Sequence, residues 1–158
     1  MEYRDMNRIA AVLIALMLPV CLTGPTRSFA EGALAVGSTG NVAEDGIAIG
    51  DAVNYSTPES AAATALANCR GRNNHRTAPK AVPLCHIVGN FRRQCDASAL
   101  DPANRTPGAG WAIAATKEEA ESQALANCQA AAGASRSQFC RIISSQCDKK
   151  DTNTTPPK

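Results

Sequence analysis

Seven cysteines, two histidines and two adjacent carboxylate pairs are the side chains of this 158-residue chain best suited to redox, metal or acid–base work. His86 stands beside Cys85 and invites a zinc reading. Zinc needs about four ligands, and cysteine serves only as a reduced thiolate. No Cys-x-x-Cys for thiol–disulfide exchange occurs, nor a Gly-x-Ser-x-Gly elbow, nor a His-Glu-x-x-His helix. A hydrolase built on His86 or His75 with a nearby serine stays open as a second reading, because such triads assemble in space rather than in sequence. Glu44-Asp45 falls in a turn and Glu118-Glu119 at a helix start, so both pairs have structural explanations. The segment Gly37 to Gly40 lacks the glycine spacing and the lysine of a phosphate loop. Composition and spacing thus call for neither a catalytic residue, nor a metal, nor a cofactor.

What the cysteines do depends on compartment, and the first thirty residues bear on that. Arg4 and Arg8 precede an apolar run from Ile9 to Val20, and Ser28-Phe29-Ala30 has the small-x-small form of a signal-peptidase site. The run is too short for a membrane span. Residues 1–30 are therefore expected to be an export signal, with Met6 as an alternative start and Glu31 as the first mature residue. Val20 before Cys21 is not the small residue of a lipobox, so anchoring through Cys21 is not expected. Loss of Cys21 leaves six cysteines, which can pair completely in the periplasm or outside the cell.

Those six sit in a repeat. Ala-Leu-Ala-Asn-Cys occurs at Ala65 to Cys69 and again at Ala124 to Cys128, each followed by two further cysteines. Aligning the pentapeptides places Thr57 on Thr116 and Glu59 on Glu118 without a gap. Thr57 caps a helix with Pro58 at its first position, and Thr116 opens a capping box with Glu119. Ala61, Ala65, Leu66 and Cys69 share one helical face, as do Ala120, Ala124, Leu125 and Cys128. Gly46 to Ile49, set against Gly110 to Ile113, reads as the strand entering each helix. Leu84 to Phe91 and Gln138 to Ser144 read as the strands leaving them. An extra strand at Ala33 to Val36 precedes the first round, and the segments 70–83 and 96–109 read as exposed loops. The fold class is α+β: two β-α-β-like repeats, the first with an extra N-terminal strand, packed as one small disulfide-stapled domain. It spans 31–147, with halves at about 31–97 and 109–147 and a disordered tail at 148–158.

If the halves fold alike, the helix-end cysteine meets the cysteine that opens the returning strand. That gives Cys69–Cys85 and Cys128–Cys140, and leaves Cys95–Cys147 to tie the halves across a pseudo-twofold axis. Asn54-Tyr55-Ser56, Asn104-Arg105-Thr106 and Asn153-Thr154-Thr155 fit the glycosylation sequon.

The strand, the capped helix ending in Ala-Leu-Ala-Asn-Cys, Cys85-His86-Ile87-Val88, Phe91 to Cys95 and a shorter second round resemble the bacterial family called domain of unknown function 4189, over Gly32 to Cys147. The resemblance implies a small exported protein and supplies no site residues, activity or cofactor. Trp111 is the single tryptophan, so aromatics are scarce for a surface patch.

Beyond residue 30 the chain holds 13 cations and 12 acids, a balance that argues against a dedicated nucleic-acid binder. No acid occurs between Glu59 and Asp96, whereas Arg70, Arg72, Arg76, Lys80, Arg92 and Arg93 all do. Should the loop after Cys69 fold near Arg92, these form a basic face for an acidic protein or an anionic envelope component. The expectation is a non-catalytic binding or interaction module, exported, with no transmembrane segment in the mature chain. A secreted effector acting on a host is a third reading.

Overall fold

The computed structural model describes residues 31–148, apart from the side chains of His75 and Arg76. The expected export signal with Cys21, and the tail from 149 onward, lie outside the described residues. The chain is α+β and runs through the same β-β-α-β course twice. The first half comprises β1 (Glu31–Gly37), a short α1 (Val42–Asp45), β2 (Ala48–Tyr55), α2 (Pro58–Cys69), α3 (Arg72–Thr77), a 3-10 turn (Val82–Leu84) and β3 (His86–Phe91). The second comprises β4 (Cys95–Leu100), β5 (Ala109–Ala114), α4 (Lys117–Ala132), a 3-10 turn (Ser137–Phe139) and β6 (Arg141–Cys147).

Each half makes one antiparallel three-stranded sheet, ordered β2-β1-β3 and β5-β4-β6. The registers match. Ala35 lies opposite Gly50 and Ile87, as Ala99 lies opposite Gly110 and Ile142. Both sheets also bulge at the same place, between Leu34 and Ala35 and between Ser98 and Ala99. The bulges leave Val88 and Ile143 as the extra residues on the outer strands, where an irregular edge discourages pairing with another chain.

Strand alternation then sorts the side chains into layers. Ala33, Ala35, Ala48 and Ala52 pack with Ala61, Ala65 and Cys69 of α2. Ala97, Ala99, Ala112 and Ala114 pack with Ala120, Ala124, Cys128 and Ala132 of α4. The opposite faces of the two sheets meet in a seam, where Val36, Ile47 and Ala109 are buried with Ile49, Leu100 and Trp111 around them. The layers therefore run helix, sheet, sheet, helix.

The repeated pentapeptide owes its form to this packing. A Cβ added at Gly50 would lie 2.1 Å from Cys69 N, and one at Gly110 would lie 2.3 Å from Cys128 N. Glycine in the strand and alanine in the helix are what let the two backbones approach so closely. The Asn68 side-chain amide donates to the Asp51 carbonyl (2.8 Å) and that of Asn127 to the Trp111 carbonyl (3.0 Å), tying each helix to its outer strand. Thr57 and Thr116 accept from Ser60 N and Glu119 N, both at 3.2 Å, which fixes the helix starts.

Three expectations are corrected. The segment 96–109 is not simply a loop: Cys95–Leu100 is the central strand of the second sheet, so the second half also has its extra strand. Its sequence, Cys-Asp-Ala-Ser-Ala-Leu, alternates correctly but puts Asp96 and Ser98 into the seam, which disguises a buried strand. The segment 70–83 likewise holds α3 and the start of a 3-10 turn, with Ala78, Ala81 and Val82 buried. The strand equivalent to Gly110–Ile113 starts at Gly50, not Gly46. One additional residue separates Gly50 from its helix cap, and the irregularity in β1–β2 pairing near Asn54 (φ 65°) absorbs it.

Candidate functional site at the seam

Cys69, the last residue of α2, is bonded to Cys85, and Cys128, one turn before the end of α4, to Cys140, each joining its helix to the residue before the returning strand. Cys95 is bonded to Cys147, its direct partner on the neighbouring strand. Because Cys95 opens β4, this bond lies inside the second half and does not tie the halves together.

Arg70 and the Arg92–Arg93 pair lie at opposite ends of β3. Arg70 reaches the Cys85 carbonyl (3.3 Å) just before β3, whereas Arg92 and Arg93 follow the far end of that strand, about 20 Å away at ~3.3 Å per residue. Lys80 is paired with Asp45 at 2.8 Å and Arg92 with Glu31. The main-chain N–H of Arg93 donates to Asp148 (3.1 Å), and Arg72 is exposed on α3. The loop after Cys69 is held near Cys85 by the disulfide, and that keeps it from Arg92. Asp148 also accepts from Asn54 N (3.1 Å), so it belongs to the fold and not to the tail.

His86 is exposed, and its Nδ1 donates to the Leu84 carbonyl at 3.0 Å. Among the described residues no three His, Cys, Asp or Glu side chains converge as a metal site would require.

The concave feature of interest lies where the two sheets meet. A cleft of about 370 Å³ opens between two equivalent hairpin loops, the β1–β2 connection and the β4–β5 connection, with Asn74 and Thr77 of α3 at its side. Ile47 and Leu100 give it an apolar floor, while Glu44 stands on one loop and Asn104, Arg105 and Thr106 on the other. Both loops are held rigidly. Asp45 accepts from Lys80 and from the Thr39 hydroxyl (2.8 Å), and these two contacts keep its carboxyl below the usual carboxylate range. Asp101 is gripped by Arg136 through two hydrogen bonds of 2.5 and 3.0 Å and accepts from Ala103 N (3.1 Å). The Arg136 guanidinium holds the Asp101 carboxyl below its ordinary value. The same guanidinium lies 4.8 Å from the centre of the Phe139 ring. Asn74 fixes α3, its amide nitrogen lying within 3.1 Å of the Ile49, Asn68 and Cys69 carbonyl oxygens.

Deeper in the seam lies a polar patch. Asp96 and Ser98 of β4 stand beside Gln146 and Ser144 of β6, and Asp51 of the other sheet accepts from Gln146 and, at 3.5 Å, from Ser144. Asp96 is 0% exposed, and neither of its carboxylate oxygens nor the Ser98 hydroxyl has a hydrogen-bond partner among the described residues. Burial, reinforced by the Asp51 charge, raises the Asp96 carboxyl to about 7. Burial raises Asp51 as well.

Neither the cleft nor this patch was evident as a site in the sequence. Asp96 between Cys95 and Ala97 was the available signal, an acid inside an alternating run of small residues. Asp51 and the loop from Pro102 to Thr106 offered none, because their neighbours come from the other half.

The chain has no match among the curated proteins or the solved structures. One family model does match, over residues 32–147, which is the whole of the two-sheet body from the second residue of β1 to the last of β6. The chain therefore belongs to the family described as a domain of unknown function, DUF4189.

Proposed function

We propose that this is an exported, disulfide-stabilised, non-catalytic binding module, and that the seam cleft takes a short polar segment carrying both charges, such as a zwitterionic peptide. The observation that carries this reading is the convergence of two equivalent hairpin loops on one cleft, each immobilised by its own ion pair. Loops held in advance lose little freedom on binding, which is how a small contact area can still hold a ligand. The cleft volume falls at the lower end of the range used for small ligands. Glu44 suits an ammonium group, Arg105 a carboxylate, and the Ile47–Leu100 floor an aliphatic stem.

Export to the periplasm or beyond is part of the same reading. Its support is the three disulfides, which persist in oxidising compartments. Among the described residues no helix is long and apolar enough to cross a membrane.

The test is an NMR titration of the isotope-labelled, oxidised protein with zwitterionic dipeptides. Shift changes should concentrate in residues 42–47 and 101–108 and vanish in Ala103→Trp, whose indole fills the cleft from an exposed loop position. Changes located elsewhere, or unaffected by Ala103→Trp, would discard the reading.

A further inference from the structure

Among the described residues Asp96 is the carboxyl group that is fully buried with both oxygens lacking a hydrogen-bond partner. A carboxyl group sealed from water with no hydrogen-bond partner is strongly disfavoured as an anion, and the usual outcome is that it stays protonated. It also lies in the layer that joins the halves. On its own sheet it is flanked by Ile113 of β5 and Gln146 of β6, neither of which carries charge. Across the seam, β2 presents Asp51, whose charge acts on it, while β1 contributes the fully buried Leu34. β3 contributes Gly89 and the buried Phe91 to that sheet.

The remaining charged groups nearby are committed elsewhere. Glu31 is held by Arg92, Asp101 by Arg136, and Asp148 by the main-chain N–H groups of Asn54 and Arg93. The acids and Lys117 of α4 lie beyond the opposite face of the sheet, where Lys117 pairs with Glu121. Among the described residues no cation is placed against Asp96: burial and the Asp51 charge are what act on it.

We infer that Asp96 and Asp51 form a proton-operated latch between the two sheets: the seam is closed while Asp96 carries its proton, and ionisation of Asp96 sets two carboxylates against each other and loosens the halves. The Asp96 O–H bond breaks heterolytically during an opening of the seam, its proton passing to water and its electron pair staying on the carboxylate, and no other covalent bond changes. The same event would alter the cleft, since both of its loops spring from strands of the seam. The latch itself does not depend on what the cleft binds.

The sign of the effect follows from linkage. Asp96 has its carboxyl raised from 3.8 to about 7 in the closed form, so the closed form gains from low pH. That gain is complete below 3.8 and is lost as pH rises to 7. The opening constant should rise about tenfold per pH unit across that window and then level off.

Two measurements on the oxidised protein test it. The first is the NMR titration of the Asp96 carboxyl carbon in the unmodified chain, where a midpoint near 7 is expected, moving down in Asp51→Asn. The second is amide hydrogen exchange at Leu34 and Ser98, corrected for intrinsic rates. The tenfold-per-unit trend should appear in the unmodified chain and be absent in Asp96→Asn. A carboxyl midpoint near 4, or the same exchange trend in both proteins, would overturn the latch. Should Asp96→Asn fail to fold, the carboxyl titration decides alone. Dipeptide binding enters neither readout, so failure of the cleft reading would leave this result standing, and the reverse.

Discussion

Glu31 and Arg92 hold the place in the first half that Cys95 and Cys147 hold in the second. Glu31 precedes Gly32, which pairs with Phe91, just as Cys95 precedes Asp96, which pairs with Gln146. An ion pair thus closes one sheet and a disulfide the other, at equivalent positions. Glu31 is nearly buried and Arg92 half exposed, so the pair contributes modestly. A covalent link at this position should do more. Glu31→Cys with Arg92→Cys is expected to form a fourth disulfide and to stabilise the domain by about 3 kcal/mol, the size of a long-loop closure less the lost ion pair. Mass spectrometry of the non-reduced protein and its denaturant midpoint check this.

The glycines beneath the two main helices should be the least tolerant positions in the strands. Gly50→Ala would set a methyl 2.1 Å from Cys69 N and 2.4 Å from Ala65 O, and Gly110→Ala would set one 2.3 Å from both Cys128 N and Ala124 O. These neighbours are backbone atoms, so the helix must move as a body, and that opens the alanine layer. Each substitution should cost about 3 kcal/mol, read as a fall in denaturant midpoint, with the two nearly equal. A large inequality would mean the halves are less alike than their registers indicate.

Asp101 and Arg136 give the second hairpin loop an acid limit. The Arg136 hydrogen bonds lower the Asp101 carboxyl, so the contact stabilises above the usual carboxylate value and is lost as pH falls through the lowered one. Asp45, lowered by its hydrogen bond to Lys80, behaves alike on the first loop. Arg136→Met should remove this part of the acid limb and expose residues 101–108 to proteolysis at neutral pH, with α4 and β6 still intact. Limited proteolysis at pH 4 and 7 reads both effects.

The acid limb and the Asp96 latch act in opposite directions, the first failing in acid and the second as pH rises from 3.8 to 7. Their combination places maximum stability near pH 4, where the two windows meet. A thermal-denaturation series from pH 3 to 8 should peak there in the unmodified chain, and its peak should move toward neutrality in Asp96→Asn.

The repeat units and their helices are written in local sequence signals. Threonine caps, alanines at helical spacing and a duplicated Ala-Leu-Ala-Asn-Cys are local signals, set by short-range sterics and hydrogen bonding, and both helices start where they indicate, α2 ending at Cys69 and α4 running one turn past Cys128 to Ala132. Resemblance to the family rested on the same residues, and the family model covers them. How the two units meet is set by long-range packing. Cys95–Leu100 became a central strand because its seam-facing Asp96 and Ser98 are covered by the other sheet, a circumstance that no window of neighbouring residues contains. The ends of the basic segment, Arg70 and Arg92, are spaced by Cys69–Cys85 and the length of β3. The cleft and the Asp51–Asp96 pair exist only where residues from opposite halves come together. Long-range packing sets those positions, and a linear pattern records it only indirectly.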